Sequence, residues 1–73
     1  MSAHKLATHM YKGGKFKQAA QLYMTAFNID RRPEFLANAA RAEQRAMMLD
    51  SARKHFKQVL TMKDVDDATR KKA

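Results

Sequence analysis

Two groups of side chains in this sequence have the types needed for chemistry or recognition, and their spacing treats the groups differently. His4, His9 and His55 are the candidates for proton transfer or metal binding. On a helix, His4 and His9 would point about 140° apart, and His55 is remote, so no ligand set forms. Ser2 and Ser51 have no histidine and carboxylate that the spacing gathers around them. There is no cysteine, and with it no thiolate nucleophile, disulfide or thiolate metal site. Neither a glycine-rich phosphate loop nor a His-Glu-x-x-His pair occurs. The chain is therefore read as non-catalytic, with no cofactor and no metal.

The second group suits recognition. Asn38, Arg41, Gln44 and Arg45 recur at helical spacing, and an arginine can hold a carboxylate through two parallel hydrogen bonds. His4, Thr8, Tyr11 and Lys12 form a similar series near the start. Fifteen Lys and Arg against seven Asp and Glu give a net charge of +8, which favours an acidic partner. Lys15, Lys17, Arg31, Arg32, Arg53, Lys54 and Lys57 are scattered rather than aligned, and no nucleic-acid motif is present. A basic helical nucleic-acid-binding protein is accordingly the alternative reading, and an acidic peptide or partner helix the first. No apolar run is long enough to cross a bilayer and no signal segment is seen, so the expectation is a cytoplasmic protein with no membrane role.

The elements that must carry these residues are helices. Ala, Lys, Arg, Gln, Met and Leu dominate, and Val59, Val65 and Ile29 are too few for a sheet. Ala3, Leu6, Ala7 and Met10 mark a first amphipathic stripe, ended by Gly13–Gly14. Phe16, Ala19, Ala20, Tyr23, Ala26 and Phe27 mark a second, which stops around Ile29–Asp30. Pro33 and Glu34 suit the first turn of a third helix carrying Leu36, Ala39 and Ala40, expected to reach about Met47. A fourth, with Asp50 as its expected N-cap, carries Leu49, Ala52, Phe56, Val59 and Leu60 to about Met62. Residues 64–73, acidic at the start and basic at the end, suit a short terminal helix. Met47, Met48 and Leu49 cannot all face one core, so at least one is expected at the surface or against a second molecule.

Shifting the chain by 33 residues superposes these stripes. Phe16 falls on Leu49, Ala19 on Ala52, Tyr23 on Phe56, Ala26 on Val59 and Phe27 on Leu60. Ala3 falls on Leu36, Leu6 on Ala39 and Ala7 on Ala40. The pattern resembles the tetratricopeptide repeat, a helix–turn–helix unit of about 34 residues. In the first unit Leu6-Ala7 stands at the family's Leu-Gly pair, Gly14 at its turn glycine and Phe16 at the aromatic that follows. Ala19 and Ala26 match the small residues of the second helix, Tyr23 its large aromatic, and Asp30 with Pro33 the closing Asp-Pro. The second unit departs from it: Met47 replaces the turn glycine, Glu43 a large apolar residue and Val59 a small one.

The resemblance covers roughly residues 2 to 62 and implies an all-α fold of one domain, 1–73. It would contain two tetratricopeptide-like helix-turn-helix hairpins, an α-solenoid fragment with units at 2–30 and 33–62, plus a short C-terminal helix as a capping segment, 64–73. It further implies a non-catalytic scaffold with a concave groove lined by the first helix of each unit. His4, Thr8, Tyr11, Lys12, Asn38, Arg41, Gln44 and Arg45 would then line a basic peptide-binding groove. Some relatives clamp a terminal carboxylate across three units; Asn38 and Arg41 match parts of that clamp, but the first helix lacks its asparagine, and no clamp is expected. About three units are usually needed to cover a solenoid's ends. A homodimer, or a place in a longer array, is therefore expected.

Overall fold

The computed structural model describes residues 2–72, with side chains from Ser2 through Lys63. It holds four helices, α1 (Ala3–Lys12), α2 (Phe16–Ile29), α3 (Pro33–Arg45) and α4 (Leu49–Lys72), and no strand among the described residues. Ser2 caps α1: its Oγ accepts the Lys5 amide at 3.3 Å, satisfying one of the donors that a helix start leaves open. Pro33 opens α3, where its missing amide hydrogen costs nothing and its fixed φ is already helical. Glu34 follows in that first turn, at the positive end of the helix dipole.

The 33-residue register recurs in the backbone bonds of the two turns. After α1, the amides of Gly13, Gly14 and Lys15 donate to the carbonyls of His9, Tyr11 and Met10. After α3, those of Ala46, Met47 and Met48 donate to Ala42, Gln44 and Glu43, each partner displaced by the same interval. Both sets form the double bond pattern that closes a helix when the residue beyond its cap turns left-handed. Gly14 takes that position at φ 82°, and Met47 takes it at φ 64°. The next helix starts alike in each case, with the Ala19 amide bonded to the Lys15 carbonyl and the Ala52 amide to the Met48 carbonyl.

Successive helices pack on one another: α1 on α2, α2 on α3, α3 on α4. The core has two parts. Ala7, Ala19, Ala20, Tyr23, Ala39 and Ala42 bring α1, α2 and α3 together, and none of the alanines is more than 3% exposed. Side chains that small allow close backbone approach, since helix separation follows the size of the residues at the contact. Phe27, Leu36 and Val59 join α2, α3 and α4 in the second part, with Met24, Phe35 and Met62 at its edge. The Arg31 guanidinium lies 5.1 Å from the centre of the Phe27 ring and covers its outer side.

Several expectations change. The third helix ends at Arg45 rather than Met47, because Met47 is in the left-handed turn and 77% exposed. Asp50 is not an N-cap: α4 has already begun at Leu49, and Asp50 lies in its first turn. No separate terminal helix follows Met62, since α4 continues unbroken to Lys72. The charge pattern expected of residues 64–73 lies outside the residues whose side chains are described. Leu49 and Leu60 occupy the stripe positions of Phe16 and Phe27 but are exposed, because among the described residues only α3 packs closely on α4.

A non-glycine residue in the left-handed region costs about 1–2 kcal/mol, partly offset by the greater freedom of glycine in the unfolded chain. Met47→Gly should therefore stabilise the fold by about 0.5–1 kcal/mol, and Gly14→Ala should destabilise it by about 1 kcal/mol. An added Cβ at Gly14 meets nothing within 4 Å, so only the backbone angle is being tested. Urea unfolding at unchanged slope measures both; a destabilised Met47→Gly variant would contradict the assigned turn.

Candidate functional site

The side chains of α1 and α3 that point away from the alanine contact come together over Tyr23. Tyr23 is buried, and its hydroxyl is satisfied by Thr8 Oγ1 at 2.9 Å. Thr8 Oγ1 also donates to the His4 carbonyl at 3.1 Å, which leaves its lone pairs to accept the tyrosine proton. The His4 ring lies 4.9 Å from that of Phe35 and 6.1 Å from that of Tyr23, linking the start of α1 to the start of α3. At the other end of α1, the Tyr11 ring meets Phe16 edge-on at 5.1 Å between centroids, which fixes the direction in which the phenol points.

Between these contacts is a cavity of about 110 Å³ lined by Tyr11, Tyr23, Asn38 and Arg41. Its walls offer a guanidinium, a carboxamide and phenols, the donor set that holds a carboxylate. No carboxylate among the described residues is within salt-bridge distance of Arg41. Pockets for drug-sized ligands run to about 300–1,000 Å³, so this one suits a side chain or chain end rather than a cofactor. A larger cavity of about 310 Å³ opens at the start of α1 and α3, lined by Ser2, Ala3, His4, Ala26, Ile29, Asp30, Arg32 and Phe35.

The expected groove residues are thus divided. Tyr11, Asn38 and Arg41 meet in one cavity, and His4 borders the other. Thr8 has its hydroxyl engaged within the fold. Lys12 and Arg45 are exposed in the last turns of α1 and α3 and line neither cavity. Gln44 faces a different space, with Leu49, Ala52, Arg53 and Phe56 beside α4. Tyr23, expected only as a core aromatic, also forms a cavity wall.

No family model, no curated protein and no solved structure matches this chain. Among the described residues no group of three His, Asp or Glu could hold a metal ion. None of the described helices is long and apolar enough to cross a membrane.

The 33-residue register also exposes a polar pair that sequence reasoning missed. Met10 and Leu22 pack against the first core cluster. Their counterparts one interval later are Glu43 and His55, whose Oε1 and Nδ1 lie 2.5 Å apart. Glu43 is only 5% exposed, so the hydrogen bond meets the requirement that a buried carboxylate be partnered. The two polar residues replace two apolar ones as a unit. His55→Leu alone strands a buried carboxylate and should cost about 1–3 kcal/mol. Glu43→Met with His55→Leu restores the apolar pair of the first turn and should return stability to within about 1 kcal/mol of the parent, read by urea unfolding. Additive losses in the double variant would show that the two sites are uncoupled.

Proposed function

We propose that this chain is a two-unit helical-repeat module of the tetratricopeptide type that binds an acidic peptide between α1 and α3 and catalyses nothing. The observation that carries the reading is the meeting of Tyr11, Asn38 and Arg41 in one small cavity with no acid of the described chain beside the arginine. A peptide carboxylate, from an Asp or Glu side chain or from a chain end, fits both its size and its donors. Support for the repeat comes from the recurrence of the turn hydrogen bonds at the interval that relates the apolar stripes.

The binding step is an exchange of solvent for fixed donors. Arg41 supplies two parallel N–H groups, Asn38 a third donor, and the Tyr11 ring a flat wall against which the adjoining peptide methylenes rest. The network that holds Tyr23 to Thr8 keeps the floor of the cavity in place before the peptide arrives, so little ordering cost falls on binding. The net charge of +8 speeds encounter with an acidic partner and weakens with salt.

The same charge favours a second reading, phosphate binding by a basic helical surface. Fluorescence anisotropy distinguishes the two, using a labelled Asp/Glu-rich peptide and a labelled oligonucleotide titrated in parallel. Loss of one charge-assisted contact is worth about 1.5–3 kcal/mol, so Arg41→Glu should weaken peptide binding by about ten- to hundredfold. Its circular dichroism should be unchanged, because Arg41 is exposed. Peptide binding indifferent to Arg41→Glu would overturn the site. Oligonucleotide binding that falls steeply with salt, with no peptide binding, would favour the second reading.

A further inference from the structure

We infer that the outer face of α4 is a second docking surface, and that its occupant is an acidic amphipathic helix from a different protein. The register identifies what this face lacks. Ala20, Tyr23 and Phe27 of α2 are buried where α3 lies along them. The residues 33 positions later on α4 are Arg53, Phe56 and Leu60. Phe27 is 3% exposed, whereas Leu60 is 63% exposed. A cavity of about 280 Å³, bounded by Gln44, Leu49, Ala52, Arg53 and Phe56, opens on this face. Among the described residues none turns back over it, since those after Leu60 stay in the same helix to Lys72.

Charge selects the occupant. At the positions of Ala20 and Met24, α4 carries Arg53 and Lys57, both exposed, so its apolar strip of Leu49, Phe56 and Leu60 is interrupted by cations. A partner must then offer apolar residues at helical spacing with carboxylates opposite Arg53 and Lys57. A second copy is a poor match. Two copies of α4 crossing at Phe56 would set Arg53 and Lys57 against the same cations, with Asp50 a turn away, and the second copy's α1, the helix in the register of α3, contains no acid between Ala3 and Lys12. On this face the charges favour a heterologous partner over a second copy.

The test uses the full chain and a synthetic helix with leucines at i, i+3, i+4 and i+7 flanked by glutamates, beside a control with lysine at every glutamate position. Anisotropy gives affinity, and amide chemical shifts give the location. On the Arg41→Glu chain the acidic helix should bind with shifts confined to residues 44–60. Leu60→Glu and Arg53→Glu should each weaken it about tenfold, and Arg41→Glu should leave it unchanged. The lysine helix should not bind. Equal binding of both helices, shifts centred on Tyr11 and Arg41, or no binding would each overturn the proposal. Sedimentation showing a dimer that Leu60→Glu dissolves would overturn it too, assigning the face to a second copy. The same titration on the Arg41→Glu chain, whose groove is disabled, keeps failure of the α4 face distinguishable from failure of the groove.

Discussion

Close approach of helices through alanine is the constraint from which the rest of this structure follows. Ala7, Ala19, Ala20, Ala39 and Ala42 are buried where α1, α2 and α3 meet, and a larger residue at any of them would hold the backbones apart. Because α2 lies close to both neighbours, Tyr23 is enclosed and its hydroxyl has Thr8 within reach. The same proximity brings Tyr11 of α1 to Asn38 and Arg41 of α3 and leaves a cavity between them. Packing, the hydrogen bond and the cavity are consequences of one spacing.

At two places the halves of the chain differ by a pair of residues at once. Thr8 and Tyr23, which share a hydrogen bond, become Arg41 and Phe56 one interval later, and Met10 and Leu22 become Glu43 and His55. The first exchange trades a structural hydroxyl pair for an arginine that projects toward solvent and lines the cavity. In the second, a polar pair replaces an apolar one, and its hydrogen bond meets the cost of burying a carboxylate. Such coupled changes keep the backbone template while altering the surface it presents.

Much of the fold was legible because glycine, proline and apolar periodicity announce themselves. Gly13–Gly14 and Pro33 set the end of α1 and the start of α3. Met47 hid the second turn, since nothing about methionine signals a positive φ; only the register relating it to Gly14 does. Periodicity gave the stripe of Leu49 and Leu60 but not their exposure, which depends on what packs against α4. Their helix faces were enough to bring Tyr11, Asn38 and Arg41 together, and the three line one cavity. Gln44 was not separable from them, because a residue in the last turn of α3 sits nearer the start of α4 than the groove. The Glu43–His55 bond joins two helices and leaves no local signature.

The most direct measurement is the set of nuclear Overhauser contacts between alanine methyls in solution. If the helices are held as described, the methyls of Ala19 and Ala20 will show contacts to those of Ala39 and Ala42, and Val59 will show contacts to Leu36 and Phe27. Alanine methyls that contact only their own helix, or a continuous helix through residues 30–48, would contradict the account.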